Sequence, residues 1–464
     1  MSKAFLSLPI ADGIPKKRAR FLFRVRGEKS RQKDEQLAAT QSHGVLSQKR
    51  FMALTGNKIV AALAGTDNFN HVEQNDFVIS LRSFEGGLEQ VSESGCISPA
   101  YTVLAPLKKI EPKYFHFLLK SHVFISHLQT TVTGIRDGKS VKFENLANIV
   151  LPIPDLATQR AIADFLDRET ARINSLIVKK QRLVELLREK RSAVITSAVT
   201  GRHPRFSGDS GSRDCRPAEG GGVSTDISRC AKPAWASILP SEWQVLPIKK
   251  IVSTPITDGP HETPEFLDEG VVFISAEAIQ DGKIDFSRRR GHISKADNTR
   301  YSRKYAPREG DIYVVKSGAT TGKAAMVGDR TDFNIWSPLA VIRADQKMDN
   351  RFVLYTIRSQ IIQDSIAINW SWGTQQNIGM GTLGRIQVPL PDLTTQRAIA
   401  DFLDLESARI SKVTERTRLS IDRLKEYRAA LITSAVTGQI DVSTYARSGS
   451  TDRQLDAIHA EAQA

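Results

Sequence analysis

Gly318–Lys323 reads GATTGK, the residue types of a loop that cradles phosphate. A Walker loop, however, needs four residues between its glycines and Ser or Thr after the lysine. Here Ala319, Thr320 and Thr321 alone separate Gly318 from Gly322, and Ala324 follows Lys323. Pro-Asp occurs at Pro154–Asp155 and Pro391–Asp392, yet no Glu-x-Lys follows to complete a nuclease-like carboxylate set. Amino-methyl-transfer tetrapeptides, a GxSxG elbow and an HExxH pair are absent. The 9 histidines are dispersed, and Cys96, Cys215 and Cys230 have neither zinc-site spacing nor even number. The sequence therefore predicts no catalytic constellation, no metal site and a reducing compartment, the cytoplasm.

The residues that could do chemistry are polar and cationic. Lys and Arg number 65 against 51 Asp and Glu, a formal charge of +14, and about ten cations between Lys3 and Lys33 face only Asp12 and Glu28. Such an excess suits a phosphate backbone, although a solvated basic surface has the same composition. Two loops stand out. TGIRDGKSVK carries Arg136, Lys139 and Lys142, whereas WSWGTQQNI carries Trp370, Trp372, Thr374, Gln375 and Gln376. Guanidinium fits guanine O6/N7 and a carboxamide fits adenine N6/N7, so the pair could read two different base sequences. Ordinary turn residues are the alternative. Arg288, Arg289, Arg290 and Lys316 suit phosphate contacts, which position without specifying.

The elements that must hold these loops are written twice. LPIPDLATQRAIADFLDRETARI at Leu151–Ile173 returns as VPLPDLTTQRAIADFLDLESARI at Val388–Ile410, and the match resumes as ITSAVTG ending at Gly201 and Gly438. Over this block 29 of 51 positions are identical. Upstream, Pro112–Val150 against Asp349–Gln387 keeps only Phe115, Ile125, Leu146 and Ile149, all apolar. NDFVISLRS (Asn75–Ser83) still answers GDIYVVKSG (Gly310–Gly318), and SPAYTVL answers SPLAVIR. One fold is kept while two surfaces diverge. A retained surface should meet one kind of partner twice, and a diverged one should meet two different things.

The retained block predicts a long helix in each copy. Asp155 and Asp392 are good N-caps, Gly201 and Gly438 suit left-handed C-caps, and no proline or glycine lies between. A near-heptad stripe runs through Ile162, Leu166, Ile173, Leu176, Leu183, Leu187 and Val194, and again through Ile399, Leu403, Ile410, Val413, Leu424 and Leu431. About 45 residues would make a rod of roughly 65 Å, with Asp167 and Asp404 as candidate break points. It cannot bury its own stripe, so the spacing predicts an antiparallel coiled coil with its duplicate. The diverged parts read as mixed α/β, with short strands such as DFVISL, VVFISA and DIYVV between glycine-bearing turns. The chain thus divides into domains at 1–154 and 239–391, helical spacers at 155–201 and 392–438, a Gly/Ser-rich linker at 202–238, and a polar, loosely held tail at 439–464. No segment approaches the ~20 apolar residues of a membrane span, and the start lacks a secretory pattern.

The duplicated PxPDLxTQRAIADFLD…ITSAVTG block resembles the conserved helical regions of Type I restriction–modification specificity subunits. PSEWQV (Pro240–Val245), DGPHETP (Asp258–Pro264), KSGATTGK (Lys316–Lys323) and TQQNI (Thr374–Ile378) are similar to recurrent segments of that family's target-recognition domains. The resemblance implies a noncatalytic subunit with two target-recognition domains reading the halves of an asymmetric, bipartite DNA target. Two helices between them set the unread gap. It implies DNA contacts at His261 and Thr320 besides the loop residues above. Two methyltransferase subunits would dock on the helical block, with Gln159, Arg160, Phe165 and Arg172 and their counterparts Gln396, Arg397, Phe402 and Arg409 as candidates. Restriction (translocase/nuclease) subunits would join them; S-adenosylmethionine, ATP and magnesium would belong to those partners, with no cofactor in this chain. The competing reading is a coiled-coil adaptor whose two domains bind proteins.

Overall fold

The computed structural model describes residues 8–40, 44–56, 66–80, 87–131, 143–207, 233–372 and 376–461. By its contacts the chain forms two compact units, 1–183 with 416–464, and 184–415. Each unit holds one α/β domain and parts of both long helices.

In the first unit a four-stranded antiparallel sheet runs in the order Phe23–Val25, Tyr101–Pro106, Phe77–Ser80, Glu89–Gln90. Phe23 packs edge-on against Phe77 and Phe115, with ring centres 5.7 and 5.5 Å apart, tying the sheet to the helix Pro112–Leu119. The strand Lys16–Arg18 pairs antiparallel with Val150–Pro152 and closes the domain just before the first long helix.

The second unit repeats the plan. Its sheet runs Thr257–Asp258, Leu339–Ile342, Ile312–Val315, Ala324–Met326. Gln244–Pro247 pairs with Gln387–Leu390 before the second long helix. The strand Ile312–Val315 is buried throughout because its alternate side chains enter two cores, Ile312 and Val314 one, Tyr313 and Val315 the other. A three-stranded mixed sheet, Gly291–Ile293, Val271–Ile274, Phe333–Ile335, covers the second of these cores.

The two long helices, Leu156–Val199 and Leu393–Val436, are each 44 residues and unbroken. Their ends follow the sequence. Asp155 Oδ1 accepts from the amides of Ala157 and Thr158, and Asp392 Oδ1 from that of Thr395. Gly201 and Gly438 take φ of 68° and 74°, and the next residue donates back to Ser197 and Ser434, both at 2.8 Å. A Cβ at Gly201 would strike Pro240, and one at Gly438 would strike Ile14, so packing requires glycine as much as backbone angle does.

Within each unit the helices run antiparallel. In the first, Tyr114 Oη donates to the carbonyls of Pro152 and of Val436, placing the start of one helix beside the end of the other. In the second, Ile195 and Val199 share a core with Ile399 and Leu403. The seam departs from the expected stripe: Leu183 and Val413 are exposed, and Ile177, Val184 and Ile421 are buried instead. A 3.6-residue helix drifts about 20° per heptad against a 3.5 repeat, so the buried column steps sideways. In the first helix it follows Ile162, Ile173, Val184 and Ile195.

The tail is a correction. It forms the helices Val442–Arg447 and Ser450–Glu461. Tyr445 stacks edge-on against Phe165 and Arg172 pairs with Asp452, anchors far upstream in sequence. Among the described residues no helix is long and apolar enough to cross a membrane.

Candidate nucleic-acid interface

Three turns far apart in sequence meet in the second unit. The turn Lys316–Lys323 joins the strands Ile312–Val315 and Ala324–Met326, and the short strand Gln376–Asn377 lies against it. Gly318 N donates to Gln376 O at 3.0 Å and Ile378 N to Lys316 O at 2.8 Å. Thr321 Oγ1 donates to Gly318 O at 2.7 Å. Gln376 is therefore fixed through its backbone and remains partly exposed.

The third turn arrives through charge. Asp258, fully buried at the end of its strand, lies 2.5 Å from Lys304 Nζ and 3.0 Å from both Lys316 Nζ and His261 Nε2. Burial alone would push this carboxyl up. Hydrogen bonds from Lys304 and Lys316 outweigh that and hold it below the usual carboxylate range. Lys316 is thus a nearly buried strut for the turn, whereas His261 is mostly exposed. Behind it Trp336 Nε1 donates to Glu262 O at 3.1 Å, and the Arg290 guanidinium sits 5.4 Å from the Trp336 ring centre. Lys304, Arg290 and Trp336 carry no motif. The pairing of the strand Val271–Ile274 with Gly291–Ile293 and Phe333–Ile335 places Arg290 and Trp336, and the ion pair with Asp258 places Lys304.

Thr320 is half-exposed at the tip of the turn, beside exposed Ala319, and Trp370 is half-buried at the end of the helix Gln360–Asn369. Arg288 and Arg289 are exposed on a separate turn, Arg288 3.3 Å from Asp285. Arg136, Lys139, Lys142, Thr374 and Gln375 lie outside the described residues. The assembled edge offers hydroxyls, amides, a carboxamide, an imidazole and cations on a stiff base, a set suited to hydrogen-bond readout.

The helical candidates divide in two. Gln159 and Gln396 are buried. Their Oε1 atoms accept from the amides of Glu111 and Asp349 at 2.9 and 3.0 Å, and their Nε2 atoms donate to Pro154 O and Pro391 O. Glu111 and Asp349 are the N-cap residues of the helices Pro112–Leu119 and Asn350–Arg358, so each glutamine bolts a domain to its long helix. Phe165 is covered by Tyr445, and Phe402 by His203 and Phe206. Arg160, Arg172, Arg397 and Arg409 are exposed, Arg172 paired with Asp452 and Arg409 with Glu406.

Comparison with known proteins matches this duplicated plan. The family described as Type I restriction modification DNA specificity domain matches residues 25–186 and again 240–421. The chain is 22% identical over 335 residues to the Type I restriction enzyme EcoBI specificity subunit of Escherichia coli, covering 72% of this chain and 66% of that one. It is also 22% identical over 406 residues to the MjaVIII specificity subunit of Methanocaldococcus jannaschii, covering 85% and 83%. The chain thus spans just under two thirds of the E. coli relative. A solved chain described under "Structural basis underlying complex assembly and conformational transition of the type I R-M system" shares the fold, with a TM-score of 0.61 at 16% identity over 93% of this chain and 99% of that one. With two matches that together take in most of its length, the chain belongs to the Type I restriction–modification DNA specificity family.

Proposed function

We propose that this chain is the noncatalytic, sequence-reading subunit of a Type I restriction–modification complex in the cytoplasm. Its two domains read the unlike halves of an asymmetric DNA target, and the long helices set the unread gap. Methyltransferase and restriction subunits assemble on it and supply S-adenosylmethionine, ATP and magnesium chemistry. The observation that carries this reading is the repetition of one strand order, one closing strand pair and one helix joint, joined by loops whose sequences differ. Shared frames dock like partners; unlike loops meet unlike bases.

Mapping methylated adenines in cells with and without this chain tests it. The expected result is one split motif, two short specific segments around a fixed gap, that disappears with the chain. A continuous motif, or no change, overturns the reading.

A further inference from the structure

One side-chain cluster in the first domain stands apart from the loops and helices above. His71, on the strand Asn70–Val72, has a side chain only 2% exposed. Its Nδ1 is 2.7 Å from Asp34 Oδ2, and its backbone amide donates to Glu28 O at 3.0 Å. In the tautomer whose Nδ1 proton is directed at Asp34, Nε2 carries the lone pair. That atom is buried and has no hydrogen-bond partner among the described residues. Glu73 Oε1 is 3.8 Å away, too far for a hydrogen bond. One ligand atom from each of Glu28, His71 and Glu73 lies within 4.8 Å of the other two.

We propose that Glu28, His71 and Glu73 form a binding site for a divalent transition-metal ion of the zinc class. Two ligands across a tetrahedral zinc stand about 3.4 Å apart, close to the gap between Nε2 and Glu73 Oε1. A nitrogen and two carboxylate oxygens suit such an ion, and Asp34 supplies the carboxylate that metal-bound histidines use on their far nitrogen. Charge agrees. Arg26 contacts Glu28, Glu73 and Asp76, and Arg31 contacts Glu28 and, at 3.7 Å, Glu73 Oε1. Those three carboxylates and Asp34 against two guanidiniums leave a net charge of −2, which one divalent ion cancels. Glu28 and Glu73 are each nearly half exposed, giving the ion a way in.

The second domain provides an internal control. Glu73 N donates to Asp76 Oδ2, and Arg308 N donates to Asp311 Oδ2 in the matching turn. At the corresponding positions the second domain thus has Arg308 for Glu73 and Ala306 for His71. Among the described residues the cluster occurs once. It would clamp the strand Asn70–Val72 to the segment 26–34 in the first domain alone.

Calorimetric titration of the untagged, chelator-treated full chain with zinc chloride tests this. The expected result is one tight equivalent per chain, lost in His71→Ala, weakened at least ten-fold in Glu73→Gln, and weakened about 10–100-fold in Asp34→Asn. Circular dichroism checks folding; if His71→Ala does not fold, Glu73→Gln, altered at a half-exposed side chain, decides. No tight equivalent in the wild-type chain, or zinc affinity unchanged in Glu73→Gln, overturns the proposal.

Discussion

Asp76 and Asp311 occupy the same turn in the two domains, and each is 1% exposed. The residue before each, Asn75 or Gly310, has φ of 72° or 84°. Each carboxylate accepts the amide three residues back at 2.9 Å, and a strand starts immediately after. The counter-charge differs, and Tyr305 Oη adds a 2.7 Å hydrogen bond to Asp311. Arg26, just past the strand Phe23–Val25, makes hydrogen bonds of 2.7 and 3.1 Å to Asp76. Arg343, just past the neighbouring strand's counterpart Leu339–Ile342, makes two of 2.7 Å to Asp311. A buried carboxylate requires a cation but does not dictate which strand brings it. The duplicates could therefore drift in sequence while keeping one electrostatic arrangement.

The largest test removes the shared element. Asp311→Ala should destabilise by about 3–5 kcal/mol, because it strands the largely buried Arg343 guanidinium, and Asp76→Ala by less, about 2–3 kcal/mol, because Arg26 keeps Glu28 and Glu73. Urea unfolding measures this. A loss below about 1 kcal/mol in one domain only would break the equivalence of the two turns.

Next comes the joint between domain and helix. Gln159→Leu and Gln396→Leu each leave an amide and a carbonyl unsatisfied at a buried position and should cost about 2 kcal/mol. The two joints share no partner, so the double variant should be additive within about 0.5 kcal/mol. Unequal costs would show that one joint is supported by contacts the other lacks.

How much of this was legible follows from how far each interaction reaches along the chain. Asp155 with Thr158, or Gly201 with Ser197, are local, and the caps and helices could be read residue by residue. The fold class followed from the repeat. The roles of Gln159 and Gln396 were hidden, because a glutamine on a retained helix looks the same facing a partner or facing an N-cap 48 or 47 residues upstream. The turn cluster at Asp258 was half legible: its segments were recognisable, but the bond to Lys316 depends on strand order. The tail was misjudged since Tyr445 and Asp452 find their partners in the first helix. The metal ligands come from two separated segments and have no spacing to detect.

The smallest predicted effect tests whether matched positions must carry matched energy. The aspartates of the retained block, Asp167 and Asp404, are both held by a cation from the domain helix. Lys113 does this in the first unit, from a mostly exposed side chain with one partner. Arg351 does it in the second, reaching Asp349, Asp401 and Asp404 at 3.1, 2.8 and 2.8 Å, while Tyr355 Oη adds a 2.7 Å bond to Asp404. An exposed pair is worth little after screening and lost side-chain freedom; a planar fork among three carboxylates loses less freedom for each bond it makes. Lys113→Met should therefore cost at most about 0.5 kcal/mol and Arg351→Met about 1 kcal/mol or somewhat more. Raising salt should shrink both, the first almost to nothing, since the Debye length falls to about 3 Å at 1 M. Equal costs at low salt would mean that position within the duplicated frame, and not the number of carboxylates engaged, sets the strength of this contact.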